Sequence, residues 1–273
     1  MILTIDIGGT KTLIALFSDN GEIKKQIKFA TSQNPSEFLD QLLLEISNMT
    51  AETTEQIMCI SIAVPGPVED GKTLWYGNLD WSDTDIREEL EKRFSGVLVI
   101  AENDANLAGL SEAHALDSHP KIALYLTIST GIGGGVVADG RIDAGMRRSE
   151  VGHMPLRYGN ETKEWEDIAS GEAIFKRFGK YISDITDEED LREIADRIGY
   201  GISLLIAAIQ PDVVIIGGGA GGHLDKISAE LNNVIDELLP SSVARPPIIK
   251  AQRPSEAVIY GCYLNAVDRL SQE

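Results

Sequence analysis

The chain has few of the residues that would place it outside the cell or on a polyanion. Two cysteines, Cys59 and Cys262, are all that 273 residues contain. That is too few for a disulfide framework or a cysteine-rich zinc cage. Such cysteine usage fits a reducing compartment, and a cytoplasmic location is expected. Basic residues are also short: 24 Lys and Arg stand against 43 Asp and Glu, a net charge of −19. A nucleic acid or an anionic membrane would need a broad positive face, so neither is expected as a partner. No apolar run approaches the roughly 18 residues of a membrane span. The opening Met1-Ile2-Leu3-Thr4-Ile5-Asp6 meets a carboxylate too early for a signal peptide. What remains, 43% hydrophobic and 25% charged residues, is an ordinary globular balance that excludes wholesale disorder.

Residues 2–7 are apolar and β-rich, Gly8-Gly9-Thr10-Lys11 turns, and Thr12 to Phe17 returns as a second strand. Asp19-Asn20-Gly21 turns again into a third strand, Glu22 to Phe29. This is an antiparallel meander and not a βαβ unit. Pro35 to Met49 has helical spacing, with Phe38, Leu39, Leu42, Leu43 and Ile46 on one face. Ile57 to Val64 reads as a buried strand ending in Pro65-Gly66-Pro67, Thr84 to Phe94 as a charged helix, and Val97 to Ala101 as a strand followed by Glu102-Asn103-Asp104 and a helix over 105–116. Leu126 to Gly134 then repeats the opening pattern of apolar strand, polar residue and glycine turn. The remainder reads as mostly helical, with a strand at Asp212 to Ile216 and a closing helix from Ser255 to Leu270. Two meander openings predict a duplicated fold: two α/β domains with a cleft between them.

Two glycine turns carry the first chemical signal. Asp6-Ile7-Gly8-Gly9-Thr10-Lys11 sets a carboxylate at a strand end beside a backbone that a ligand can approach closely. Ser129-Thr130-Gly131-Ile132-Gly133-Gly134-Gly135 is its counterpart. Such turns present amide and hydroxyl groups to phosphate oxygens. A plain hairpin would use the same glycines, and the Walker A spacing is missing. At −19, nucleotide binding must rest on local amide dipoles, on Lys11, and on Mg²⁺ held by Asp6, directly or through water. Gly217-Gly218-Gly219-Ala220-Gly221-Gly222 formally fits a dinucleotide fingerprint, but too little chain follows it for a dinucleotide-binding sheet. A glycine bend against an adenosine ring is the better reading. Asp104 is either a helix N-cap or a base for a hydroxyl nucleophile. Glu150-Val151-Gly152-His153 and Glu166 group hydrogen-bonding side chains of the kind that polyol recognition requires.

These motifs, in this order and across essentially the whole chain, resemble the ROK family of sugar kinases and repressors within the actin-like ATPase superfamily. Asp6 to Lys11 resembles its first phosphate motif and Thr130 to Gly135 its second. Pro65-Gly66-Pro67-Val68 with Asn78-Leu79-x-Trp81 resembles its sugar signature. Glu102-Asn103-Asp104-Ala105-Asn106 resembles the catalytic segment, and Pro211-Asp212 to Gly219 the adenosine motif. The resemblance implies a two-domain actin-like (ribonuclease H-like) fold, with 1–104 plus 255–273 as the smaller domain and 105–254 as the larger. It implies an ATP- and Mg²⁺-dependent hexose kinase that works as a homodimer. Asp104 would be the base, and Asn78, Asn103, Asp104, Glu150, His153 and Glu166 would meet the sugar. Gly8, Gly9, Thr10, Lys11, Thr130, Gly131 and Gly133 would surround the phosphates, and Gly217, Gly218 and Gly219 the adenosine.

Three departures from the family pattern stand out. Many members hold a structural zinc through the histidine of the Glu-x-Gly-His motif and a cysteine cluster after it. No cysteine lies between His153 and Gly171, so no zinc is expected, and packing must order the local loop. The phosphate motif begins at Asp6, so the helix-turn-helix of the repressors is not expected. Glu172 stands where proline usually follows Ser170-Gly171. Glucose is the default acceptor, with N-acetylmannosamine, N-acetylglucosamine, fructose and allose open, because a methyl-sized pocket change is worth only about 1–3 kcal/mol. The rival readings are a non-catalytic sugar sensor, an actin-like ATPase without a sugar acceptor, and, weakest, a nicotinamide oxidoreductase.

Overall fold

The computed structural model describes residues 1–51, 53–77, 79–81, 84–253 and 255–272. The chain divides into two compact units, Met1–Ser111 with Ser255–Glu273, and Glu112–Pro254.

The first unit opens with the expected meander. Strands β1 (Ile2–Ile7) and β2 (Lys11–Phe17) pair antiparallel from Ile2 opposite Phe17 to Ile7 opposite Thr12, and β3 (Ile23–Ala30) continues on the far side of β2. Along β3 exposure alternates residue by residue. Its lysines, Lys24, Lys25 and Lys28, give this edge the charge that discourages pairing with another chain. Helix α1 (Pro35–Thr50) is capped by Asn34, whose side chain accepts from the amides of Ser36 and Glu37. Its buried stripe is Phe38, Leu42, Ile46 and Met49, one helical face. Strand β4 (Cys59–Val64) is buried at every position, as a parallel strand covered on both faces must be. Two short strands, β5 (Val68–Glu69) and β6 (Lys72–Thr73), and helix α2 (Ile86–Arg93) lead to β7 (Leu98–Asn103) and helix α3 (Asp104–His114). Strand β7 is longer than its apolar run predicts. Glu102 and Asn103 belong to it, and Glu102 is fully buried.

The second unit repeats the plan. Strands β8 (Ile122–Ile128), β9 (Ile132–Ala138) and β10 (Arg141–Ile142) form the second meander. The chain after it is not simply helical as expected. A hairpin of β11 (Pro155–Tyr158) and β12 (Glu161–Glu164) precedes α4 (Trp165–Ala169) and α5 (Gly171–Phe178). Every residue of β12 is exposed, so it has no alternation of polar and apolar residues to betray it. Helix α6 (Glu188–Ile209), strand β13 (Val213–Gly217), the single turn α7 (Gly218–Gly221), helix α8 (Ser228–Leu238) and strand β14 (Ile248–Lys250) complete the unit. The last helix, α9 (Ala257–Leu270), returns to the first unit and packs on β1 and β4.

The two sheets have the same strand order, β3-β2-β1-β4-β7 and β10-β9-β8-β13-β14. In each the first three strands are antiparallel and the last three parallel. One plan built twice accounts for the repeated sequence pattern. The core of the first unit gathers Phe38, Trp81 and the inward residues of β1 and β4. That of the second gathers Trp165, Ile198, Ile202 and the residues of β8 and β13.

Candidate active site

In an open sheet, ligands meet the chain beyond the carboxyl ends of the parallel strands. In the first unit those ends carry Asp6 on β1 and Asn103 on β7, with Asp104 one residue on. Asp6 is half-buried, and burial, reinforced by the nearby Asp104 carboxylate, pushes its pKa up to about 7 against a smaller opposing effect of Lys28. Asp104 is the first residue of α3, and its N-cap is Asn103. The Asn103 Oδ1 accepts from the amides of Ala105 at 2.9 Å and Asn106 at 3.1 Å. The Asn103 Nδ2 donates to the carbonyl of Gly66 at 3.2 Å, which joins the Glu102–Asn106 segment to Pro65-Gly66-Pro67. Asn103 therefore keeps one donor hydrogen for a ligand. Glu102 supports the turn from beneath, accepting from the Asn103 amide at 2.9 Å and the Asn106 Nδ2 at 3.0 Å.

The first glycine turn is tied down around Gly8. Its amide donates to the Lys11 carbonyl at 3.1 Å, and its carbonyl accepts from Thr31 Oγ1 at 2.8 Å. Thr10 and Lys11 are exposed, and Gly9 is partly so. Asn78 lies outside the described residues. Its motif partners Leu79 and Trp81 are core, the indole donating to the Gln33 carbonyl at 3.1 Å. Among the described residues, a cavity of about 680 Å³ flanked by Tyr76, Trp81 and Asp85 is lined by none of the expected sugar or nucleotide residues.

In the second unit the Glu150–His153 segment and the second glycine turn converge on one carboxylate. Glu166 Oε2 accepts from the Ile132 amide at 3.2 Å, on the second glycine turn. A Cβ on Gly152 would lie 2.1 Å from the Ile132 carbonyl oxygen and 3.1 Å from Glu166 Oε2, so the Glu150–His153 segment sits against that turn only because residue 152 has no side chain. The Gly171 amide donates to the Ser129 carbonyl at 2.6 Å and anchors α5 to the same turn. Gly133 lies on β9 opposite Thr127. Glu150 is raised in pKa by burial and by Glu166, with His153 opposing.

His153 is not ordered by packing alone. Its Nδ1 lies 2.7 Å from Glu164 Oε2 and 3.8 Å from Glu166 Oε1. The Glu164 hydrogen bond is the main cause of a raised imidazole pKa, burial opposes it, and Glu166 and Glu150 add to it. One ligand atom from each of His153, Glu164 and Glu166 falls within 4.8 Å of the others, close enough for a divalent cation to bridge. Glu172, in place of the family's usual proline, fits its position at a helix start. It lies in the first turn of α5, whose N-cap is Ser170, and pairs with Lys176 at 2.8 Å. A carboxylate favours that end of a helix; proline is tolerated there for a different reason, since the first-turn amides need no intrahelical partner.

Two cavities adjoin Thr130. One of about 350 Å³ is lined by Thr130, Lys163, Glu166, Ser170 and Lys176. The other, about 550 Å³, is lined by Ile128, Thr130, Gly219, Ala220 and His223, with Phe175 and Tyr181 at its edge. Of the three adenosine-motif glycines only Gly219 lines it. Gly218, at φ +72°, turns the chain where a Cβ would lie 2.5 Å from the Ile128 carbonyl oxygen, and Gly217 packs on Tyr125. No local pattern in the sequence singles out Phe175 and Tyr181. Both are exposed, with ring centroids 4.7 Å apart, and an exposed aromatic pair beside a cavity is the signal that only the structure supplies.

Two sheets of one order, each with a glycine turn after its first strand, define the actin-like ATPase fold. A family model described as "ROK family" matches residues 2–266, and the chain belongs to that family. A glucokinase of Streptomyces coelicolor is 25% identical over 96% of both chains. A fructokinase of Zymomonas mobilis is 28% identical over 87% of this chain and 85% of its own. A ROK family glucokinase from Streptomyces griseus, solved in complex with glucose and AMPPNP, superposes with a TM-score of 0.77 at 22% identity, covering 97% of this chain and 99% of that one. Among the described residues no helix is long and apolar enough to cross a membrane.

Proposed function

We propose that this protein is an ATP-dependent sugar kinase that transfers the γ-phosphoryl group of ATP to a hydroxyl of a hexose, with glucose as the first acceptor to test. The observation that carries the reading is the division of labour at the end of β7: Asn103 Oδ1 accepts from both the Ala105 and Asn106 amides, while Asp104 Oδ1 shares only the Ala105 amide, at 2.7 Å, so α3 is capped without needing Asp104. Asp104 accepts the hydroxyl proton as the sugar oxygen bonds to the γ-phosphorus, and ADP departs with the electrons of the broken bond. Such transfer is mainly positioning and charge stabilisation, so little else is asked of the chain. Asn78, Asn103, Glu150, His153 and Glu166 orient the sugar. Gly8, Gly9, Thr10 and Lys11, with Thr130, Gly131 and Gly133, meet the phosphates. The cavity edged by Phe175 and Tyr181 suits an adenine ring, which stacks on aromatic faces, and Gly219 allows close approach to it. Asp6, whose carboxyl is held near neutrality by burial and by a neighbouring carboxylate, fits a cation, and it would hold hydrated Mg²⁺, which supplies charge neutralisation on the phosphates. The same reading makes the working form a homodimer, which light scattering tests.

The named glucokinase and fructokinase relatives support the reaction class and leave the acceptor open. A screen of ATP-dependent phosphorylation over glucose, fructose, allose, N-acetylmannosamine and N-acetylglucosamine decides it. One acceptor turning over with stoichiometric ADP is the expected result. Sugar binding with no turnover on any acceptor would make the protein a sensor and end the kinase reading.

A further inference from the structure

Lys226 closes a short 3-10 turn, Leu224–Lys226, just after His223. Its ammonium donates to three backbone carbonyls of one distant segment: Ile182 at 3.1 Å, Ser183 at 2.5 Å and Ile185 at 3.0 Å. An ammonium has three donor hydrogens, and all three are used here on peptide dipoles. Among the described residues no carboxylate pairs with it. A lysine on a surface this acidic ordinarily finds a carboxylate, so its commitment to carbonyls calls for a reason.

The two joined segments suggest the reason. Tyr181, Ile182 and Ser183 line the 550 Å³ cavity, and so do Gly219, Ala220 and His223 from a separate stretch of the chain. Lys226 follows the second group in the chain and grips the first. Apolar contacts also hold these segments, since Ile182, Ile185, Leu224 and Ile227 are all buried in the same core. Removing the ammonium therefore leaves the unit folded while it releases the turn that carries Tyr181, an exposed ring 4.7 Å from Phe175, centroid to centroid, and tilted 32° to it.

We infer that Lys226 is a positioning residue for the nucleotide: it fastens together the two stretches of chain that line the base cavity and so fixes the Tyr181 ring where an adenine stacks. The inference rests on reading that cavity as the nucleotide site. A displaced wall weakens nucleotide binding without touching the reacting atoms.

The test measures ADP binding by calorimetry and steady-state kinetics with ATP and the best hexose, for wild type, Lys226→Met and the milder Lys226→Gln. Lys226→Met should weaken ADP binding and raise the KM for ATP by about tenfold, with kcat and the hexose KM within about twofold of wild type. Lys226→Gln, which keeps an amide donor, should fall between, and it serves as the readout if Lys226→Met does not fold. Wild-type ADP affinity in both variants overturns the inference while leaving the kinase reading intact. So does an equal loss in kcat and hexose KM, which would mark a general structural role. Absence of ADP binding in the wild type overturns the nucleotide site itself and this inference with it.

Discussion

Asp6→Asn should make the ligand-free protein more stable and less active, and the gain should depend on pH. Burial and the neighbouring Asp104 raise the folded-state pKa of Asp6 from 3.8 to about 7. The folded chain thus keeps a proton that the unfolded chain has already lost. Stability from this group falls as pH rises from about 4 to about 7 and is level above that. A shift of that size corresponds to roughly 4 kcal/mol. Asp6 keeps part of its surface open to water, which relaxes about half of the cost and leaves about 2 kcal/mol. Asparagine has nearly the same shape and cannot ionise. Melting followed by circular dichroism, without metal or nucleotide, should give an Asp6→Asn Tm about 4–8 °C above wild type at pH 8. At pH 4 the two should coincide. The same substitution should cut phosphoryl transfer, because it removes the carboxylate that would hold Mg²⁺. Equal Tm values at pH 8, or the same offset at both pH values, would refute the electrostatic account of Asp6.

Glu164→Gln should lower the imidazole pKa of His153, read by NMR titration, because the Glu164 hydrogen bond is the first cause of its elevation. With the folded pKa raised, the pair's contribution to stability is full below the unfolded value of about 6.5 and is lost as pH rises through the folded value; an unchanged His153 titration would contradict the assignment. Elemental analysis of purified protein should find no stoichiometric zinc, and activity should survive chelation once Mg²⁺ is restored, whereas one zinc per chain lost in His153→Ala would show that His153, Glu164 and Glu166 hold a metal.

How much of this was legible in the sequence depended on the kind of signal. The two meanders were readable because Gly8-Gly9 and Gly133-Gly134 punctuate apolar runs, and the matching strand orders follow from that repeat. Asp6, Asn103 and Asp104 were readable as strand-end polar residues, but their roles were not. Whether Asp104 or Asn103 caps α3 is decided by where β7 stops, and the buried Glu102 carries that strand past its apolar run. The hairpin of β11 and β12 was hidden because its second strand is exposed throughout. With it went Glu164, whose partnership with His153 depends on that hairpin. Phe175 and Tyr181 lie in unrelated local patterns and meet only in space.

The central claim, that Asp104 is the base of a sugar kinase, is tested most directly by kcat for Asp104→Asn on the acceptor found in the screen. A base of this kind contributes about 10²–10⁴-fold. The substitution keeps the side chain's shape, and Asn103 still caps α3. The account predicts a folded protein whose kcat falls by at least about 10²-fold while sugar affinity changes far less. A folded Asp104→Asn protein with near wild-type kcat would contradict it.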